Sequence, residues 1–180
     1  AVLAEGTTII KNAAREPEVY DLISCLNKMG AHIDGEGSKE ITIQGVKELK
    51  PTKYKVMPDR IETATYLTAV TMTGGDISIK NSMPKTLNSV LDKLKAAGAK
   101  IKIEKDFIHL KMDRSIKPVN ISTAPYPLFP TDMQAQFISL NTVADGQSSV
   151  VETIFENRFM HVQELIRMGG DISLSGNTAC

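Results

Sequence analysis

The chain has 180 residues, of which 42% are hydrophobic, so it can bury an ordinary globular core. Its 21 basic side chains are balanced by 21 acidic ones, and no basic run is interleaved with aromatic residues, which argues against a nucleic-acid partner. No apolar stretch has the length of a membrane span and no signal-peptide pattern begins the chain, so we expect a cytoplasmic protein with no membrane partner.

Short strands and helices are predicted to alternate along the chain. The first part has a strand after Gly6, a helix that ends near Gly30, and the strands Ala31 to Asp34 and Glu40 to Val46. The middle part is predicted to run strand, helix, strand, helix and hairpin, over Lys53 to Met57, Pro58 to Met72, Asp76 to Lys80, Leu87 to Ala97, Lys100 to Glu104 and Phe107 to Lys111.

The last part repeats this order. It starts with the strand Val119 to Thr123, continues with a helix after Pro130 and the strand Ser148 to Phe155, and enters a second helix near His161. We expect it to break off at Cys180, within its closing hairpin. Because the chain also opens on what resembles the end of a helix, we expect it to be a fragment.

Two glycine markers recur about every 70 residues, a longer period than that of common solenoids. Gly6, Gly75 and Gly146 each precede a strand, and Gly30, Gly98 and Gly169 each end a helix. The pattern predicts an α/β protein made of β-α-β-α-β-β modules, one whole and two incomplete. Its sheets should be mixed, with the helices packed on one side.

No metal or cofactor site is indicated by the sequence. Two cysteines and three histidines are scattered without metal-ligand spacing: Cys25, Cys180, His32, His109 and His161. Cys25 lies between Leu22 and Leu26 on one side of a helix, which favours a buried or half-buried structural thiol. Neither common glycine-rich phosphate loop nor a nucleophile elbow occurs. We therefore expect no cofactor and no bound metal.

A segment with three prolines precedes the helix of the last part, and we call Thr123 to Pro130 the arm. It should deliver Asp132 to the helix N-terminus, where Thr131 and Gln134 fit a capping box. Asp132 could simply favour the positive end of the helix dipole, as could Asp59 at the matching position of the middle part. Arg158 could hold an anionic substrate or stabilise a neighbouring carboxylate.

Four motifs resemble those of the UDP-N-acetylglucosamine 1-carboxyvinyltransferases: F-P-T-D-M-Q-A-Q-F at 129–137, E-T-I-F-E-N-R-F-M-H-V at 152–162, L-A-E-G-T-T-I-I-K-N-A-A-R-E-P-E at 3–18 and P-D-R-I-E-T at 58–63. The resemblance implies an inside-out α/β barrel with two domains of three modules each. It also implies transfer of the enolpyruvyl group of phosphoenolpyruvate to the 3-hydroxyl of UDP-N-acetylglucosamine, the committed step of peptidoglycan synthesis.

The same resemblance assigns domains and site residues. Residues 1–57 would be the last module of one domain and 58–180 two modules of the other, with 58–113 complete and 114–180 incomplete. Asp132 would be the general base and contact the sugar hydroxyl, the backbone of Ile154 would contact the sugar nucleotide, and Phe155 would pack beside the sugar. Arg158 is a weaker candidate, and Asp59 and Arg60 would lie beside the hinge.

Parts of the family's site are not in this sequence. The loop with a reactive cysteine, a Lys-Asn pair and the phosphate-holding arginines have no counterpart in it, and Cys25 is not at the loop position. We therefore expect the 180-residue chain alone to have no transferase activity. Two alternatives remain: the related synthase acting on shikimate 3-phosphate, which we expect to lack the motifs at 129–137 and 152–162, and a non-catalytic repeat scaffold.

Overall fold

The computed structural model describes all residues from 1 to 180, and they divide into two compact units, Ala1–Met57 and Pro58–Cys180. The division falls beside the P-D-R-I-E-T motif. That these units are the last module of one transferase domain and two modules of another stays a prediction. None of the helices is both long enough and apolar enough to span a lipid bilayer.

The first unit is a three-stranded sheet with one helix. Its elements are β1 (Thr7–Lys11), α1 (Pro17–Lys28), β2 (His32–Asp34) and β3 (Glu40–Gln44), and β3 pairs antiparallel with both other strands. Proline suits the start of α1 because its fixed φ is helical and its missing N–H would be unpaired there. Alternate residues of β2 and β3 point into a small core with Ile23, and Cys25 is a half-buried free thiol, as predicted.

The strand predicted over Lys53 to Met57 does not form. The only strand pairings in the first unit are those of β1, β2 and β3, so this segment has no neighbouring strand for its backbone groups. A side chain of α1 holds it instead. The Asp21 carboxylate accepts hydrogen bonds from the Tyr54 hydroxyl at 2.9 Å and from the Met57 N–H at 3.3 Å.

The second unit begins with α2 (Arg60–Thr73), β4 (Gly75–Lys80), α3 (Asn88–Ala96), β5 (Lys100–Ile103) and β6 (Phe107–Met112). The strands form an antiparallel sheet with β6 in the centre. Asp59 caps α2, since its carboxylate accepts hydrogen bonds from the N–H groups of Ile61 at 2.8 Å and Glu62 at 3.0 Å. The capping interpretation is thus confirmed for Asp59.

The unit continues with β7 (Ile121–Ser122), α4 (Gln134–Asn141), β8 (Val150–Val151), α5 (Val162–Arg167), β9 (Leu174–Ser175) and β10 (Thr178–Ala179). Here β7 runs parallel to β8, while β10 pairs antiparallel with both β8 and β9. The strand predicted to reach Phe155 ends at Val151, because the N–H groups beyond it turn to side-chain acceptors. The Thr153 N–H donates to the Thr123 hydroxyl, and those of Ile154 and Phe155 donate to the Glu152 carboxylate. The closing hairpin is present with strands of two residues.

The α/β class is confirmed, but the order of elements and the sheets each need a correction. The middle part, expected to be whole, lacks its first strand, whereas the last part shows all six elements of the predicted order. The sheet that contains β7 is mixed, as predicted, whereas the other two are wholly antiparallel. A parallel pairing in these modules needs a strand before the first helix, and at Lys53 to Met57 that strand is absent. The core of the second unit lies between α2, α3, α4 and the sheets, and Leu67, Leu94, Ile108 and Phe137 are fully buried in it.

Candidate functional site

The arm is anchored to the core and folds back on itself. Phe129 is buried and packs edge-to-face on Phe137 of α4, with 5.0 Å between the ring centroids. The Ala124 N–H donates to the Phe129 carbonyl at 2.9 Å and closes a loop around Pro125 and Pro127. The guanidinium of the buried Arg60 lies 5.6 Å from the ring centroid of Tyr126. Packing at both ends therefore holds the arm in place.

The predicted capping box does not form. A 3₁₀ turn, Thr131–Met133, precedes α4, and no side chain caps either element. The Thr131 hydroxyl donates to Glu152 Oε2 at 2.8 Å and accepts a hydrogen bond from Arg158 Nη1 at 2.9 Å. Gln134 is buried, and neither polar atom of its side chain has a hydrogen-bond partner. The Thr131 hydroxyl thus bonds to Glu152 and Arg158, which are distant in sequence, and does not cap the helix.

Asp132 forms an ion pair with Arg158. Arg158 Nη2 donates to Asp132 Oδ1 at 2.9 Å, and the Asp132 side chain is 53% exposed. The same guanidinium donates to Thr131 through Nη1 and lies 5.0 Å from the centroid of the Phe155 ring. Two roles were considered for Arg158, holding an anionic substrate and stabilising a neighbouring carboxylate. The structure shows the contact that the second role requires, with Asp132. Asp132 faces this partner and does not cap α4.

Glu152 is the residue of this region that the sequence interpretation did not single out. It is 2% exposed, and its carboxylate accepts hydrogen bonds from the hydroxyls of Thr123 and Thr131 and from the N–H groups of Ile154 and Phe155. Burial acts to raise the pKa of Glu152, but these hydrogen bonds outweigh it and hold the pKa below its usual range. A charged residue directly after a buried strand was the one indication in the sequence.

The segment 152–158 lines a cleft of about 880 Å³. Ile154, Phe155 and Arg158 all contribute to its wall, and the Phe155 ring is 55% exposed. Asp132 does not line this cleft and is connected to it through Arg158. The structure thus brings the four candidate residues Asp132, Ile154, Phe155 and Arg158 into one region.

The three histidines do not form a site. Burial lowers the pKa of His161 and the positive charge of nearby Arg158 lowers it further, so both effects favour the neutral ring. His109 hydrogen-bonds Asp76 at 2.7 Å on the exposed face of β4 and β6, and His32 is exposed. No group of three or more acidic, histidine or cysteine side chains is arranged to hold a metal ion.

A family model described as EPSP synthase (3-phosphoshikimate 1-carboxyvinyltransferase) matches residues 1–179. The chain belongs to the EPSP synthase family. The match covers both units, so the family assignment applies to the first unit as well as to the arm and the 152–158 segment of the second.

Solved structures share the fold. The enolpyruvyl transferase NikO from Streptomyces tendae matches with a TM-score of 0.85 and 22% sequence identity, over 99% of this chain and 43% of NikO. Two structures of EPSP synthase from Acinetobacter baumannii match with TM-scores of 0.51 and 19% identity, over 98% and 99% of this chain and 41% and 42% of theirs. This chain therefore spans less than half the length of each. At such identities the likeness establishes the enolpyruvyl transferase fold and no particular substrate.

Proposed function

We propose that the full-length protein containing this chain transfers the enolpyruvyl group of phosphoenolpyruvate to the 3-hydroxyl of UDP-N-acetylglucosamine, in the cytoplasm, as a step of peptidoglycan synthesis. The observation that carries the proposal is the exposed Asp132 carboxylate, anchored by the arm and oriented by Arg158. Membership of a carboxyvinyltransferase family supports the type of reaction, and the motifs at 129–137 and 152–162 favour this acceptor.

In this proposal Asp132 is the general base. It takes the proton of the sugar 3-hydroxyl as the hydroxyl oxygen forms a bond to the phosphate-bearing carbon of phosphoenolpyruvate, while the methylene carbon takes up a proton from solvent. Loss of a proton from the resulting methyl group then restores the double bond as the carbon–oxygen bond to phosphate breaks and inorganic phosphate leaves. A base has to lie within hydrogen-bond reach of the proton that it removes. Because Arg158 binds Oδ1, Oδ2 is the oxygen available to the hydroxyl. The anchored arm favours such positioning, since a group fixed in advance loses little entropy in the reaction.

The surroundings of Asp132 suit a sugar ring better than a small polyanion. Glu152 and Glu156 lie on the wall of the neighbouring cleft. Arg158 lies on the same wall, but its positive charge is already paired with Asp132. A phosphate or carboxylate placed against this wall would be repelled by these acidic groups, so the phosphates of the sugar nucleotide and the anionic groups of phosphoenolpyruvate would be held by other parts of the full-length protein. The exposed ring of Phe155 offers an apolar surface for a sugar, and the Ile154 backbone lies beside it.

Shikimate 3-phosphate is the second candidate acceptor, favoured by the description of the matching family model. The two are distinguished by incubating the full-length protein with phosphoenolpyruvate and either acceptor and measuring release of inorganic phosphate. We expect turnover with UDP-N-acetylglucosamine. Turnover with shikimate 3-phosphate alone would show that the proposed acceptor is wrong.

Replacement of the proposed base tests its role directly. We expect Asp132→Asn in the full-length protein to lower kcat by about 10²- to 10⁴-fold, the usual contribution of a general base. Asp92→Asn is the matched control, because Asp92 is an exposed residue of α3 paired only with Lys95. A non-catalytic scaffold would be indifferent to both changes, so unchanged turnover by the Asp132 variant would refute the assignment.

A further inference from the structure

Glu152 connects the two segments that carry the proposed site. From the arm side it accepts the hydroxyl protons of Thr123 and Thr131, each at 2.8 Å. From its own loop it accepts the N–H groups of Ile154 at 2.8 Å and Phe155 at 3.1 Å. Hydrogen bonds to a buried anion are among the strong ones. Four of them, divided between two segments, fix the segments against each other.

The connection continues from Glu152 to the proposed base. Arg158 has only donors, and a threonine hydroxyl has a single proton to donate. Since Thr131 has to accept from Arg158 Nη1, its own proton goes to Glu152 Oε2. Arg158 then presents Nη2 to Asp132 Oδ1. Because Arg158 can only donate, Thr131 can bind both neighbours only if an acceptor stands at Oε2.

We propose that Glu152 is a positioning residue of the transferase site, which holds the arm against the 152–158 segment and, through Thr131 and Arg158, orients the Asp132 carboxylate. The inference rests on the proposed role of Asp132 as base. Glu152 does not touch the substrate. Glu152 also holds the N–H groups of Ile154 and Phe155. In the proposed function the backbone of Ile154 contacts the acceptor and the Phe155 ring packs beside its sugar.

Two nearly isosteric substitutions in the full-length protein interrupt the series of hydrogen bonds from Glu152 to Asp132 at different points. Glu152→Gln replaces the acceptor Oε2 by an N–H₂ donor, and Thr131→Val removes the hydroxyl. For each we expect kcat to fall by about ten- to a hundredfold, the cost of misplacing a catalytic group by a small distance, while KM for both substrates changes little. Thr131→Ser, which keeps the hydroxyl, should restore most of kcat.

The double variant and a stability control separate positioning from folding. Because both substitutions interrupt one series of bonds, the double variant should be about as slow as the slower single variant. Ile108→Val also removes buried atoms from the core of this unit, in β6, which pairs with β4 and β5, and should leave kcat unchanged. If the loss of kcat merely follows the loss of thermal stability, as judged against Ile108→Val, the positioning role is refuted.

A measurement without substrate makes the result independent of the proposed function. In protein labelled with ¹⁵N-arginine, the Arg158 guanidinium should be motionally restricted in the wild type and freed in Glu152→Gln and Thr131→Val. Retained order and unchanged kcat in these variants would overturn the inference. If the wild type transfers to neither acceptor, the proposed function fails, whereas the loss of Arg158 order would still establish that Glu152 holds this side chain.

Discussion

The guanidinium of Arg158 contacts three groups of the candidate site at once. Its two terminal nitrogens donate to Thr131 and Asp132, each at 2.9 Å, and its plane lies near the Phe155 ring. A planar fork with fixed donor directions is a property of arginine that the flexible ammonium of lysine lacks. Only the geometry of the folded chain shows that the fork is used in this way.

We therefore expect Arg158→Lys to impair the proposed reaction although the charge is kept. A lysine can bind one of the two acceptors and leaves the other free, so kcat should fall by about tenfold or more. Steady-state kinetics of the full-length protein measures this. Arg167→Lys is the matched control, because Arg167 forms only an exposed ion pair with Glu164. Equal kcat for wild type and Arg158→Lys would mean that the fork is not needed.

At the scale of elements, two aspartates at matching helix starts have different roles. Asp59 caps α2 by accepting two backbone N–H groups. Asp132 lies in the 3₁₀ turn before α4, caps nothing and pairs with Arg158. The difference arises from the arm, because its packing on Phe137 and its connection to Glu152 set the approach to α4 independently of the helix itself.

The cap of α2 should contribute to stability in the ordinary way. Asp59→Ala leaves two N–H groups without their acceptor and should lower the free energy of unfolding by about 1 kcal/mol. Asp59→Asn should change it by only a few tenths, since asparagine caps about as well as aspartate. Urea unfolding of the two variants measures the difference. Equal destabilisation by both would indicate that the negative charge, and not the cap, is what matters.

At the scale of the whole molecule, a buried anion makes folding sensitive to acid. Hydrogen bonds hold the pKa of Glu152 below its unfolded value, despite the opposing effect of burial. The folded state therefore binds the proton less readily than the unfolded state. The stabilisation by the ionised group is complete above the unfolded pKa, and it is lost as the pH falls through the folded pKa.

We expect the free energy of unfolding of the protein to decrease below about pH 4.3, the ordinary pKa of glutamate. In Glu152→Gln this part of the acid dependence should be missing, so the variant and wild type should approach each other at low pH. Urea unfolding between neutral and acid pH measures both curves. Asp113→Asn is the control for an exposed carboxylate. Lys100 also lowers the pKa of Asp113, but both side chains of this pair are exposed. Parallel curves for wild type and Glu152→Gln would contradict the prediction.

Local patterns in the sequence were sufficient for the repeat and most elements. The glycine markers, the helical spacing in α3 and the alternation in β5 and β6 depend on neighbours within a few residues, so sequence alone located them. The strand at Lys53 to Met57 could not be judged in this way, because a strand exists only if another strand is available to pair with it. For the same reason the prediction of mixed sheets was correct only for the sheet in which β7 pairs with β8.

The candidate site shows the division between sequence and tertiary structure most clearly. Motifs alone nominated Asp132, Ile154 and Phe155, and the structure brings them into one region with Arg158. The capping box at Thr131 was wrong and Glu152 was missed for the same physical reason. Thr131 and Glu152 are far apart in the chain, and the hydrogen bond that the Thr131 hydroxyl donates to a buried carboxylate is stronger than the one it would accept from a backbone N–H as a cap. Sequence determined which groups are present, and folding decided which of them bond to each other.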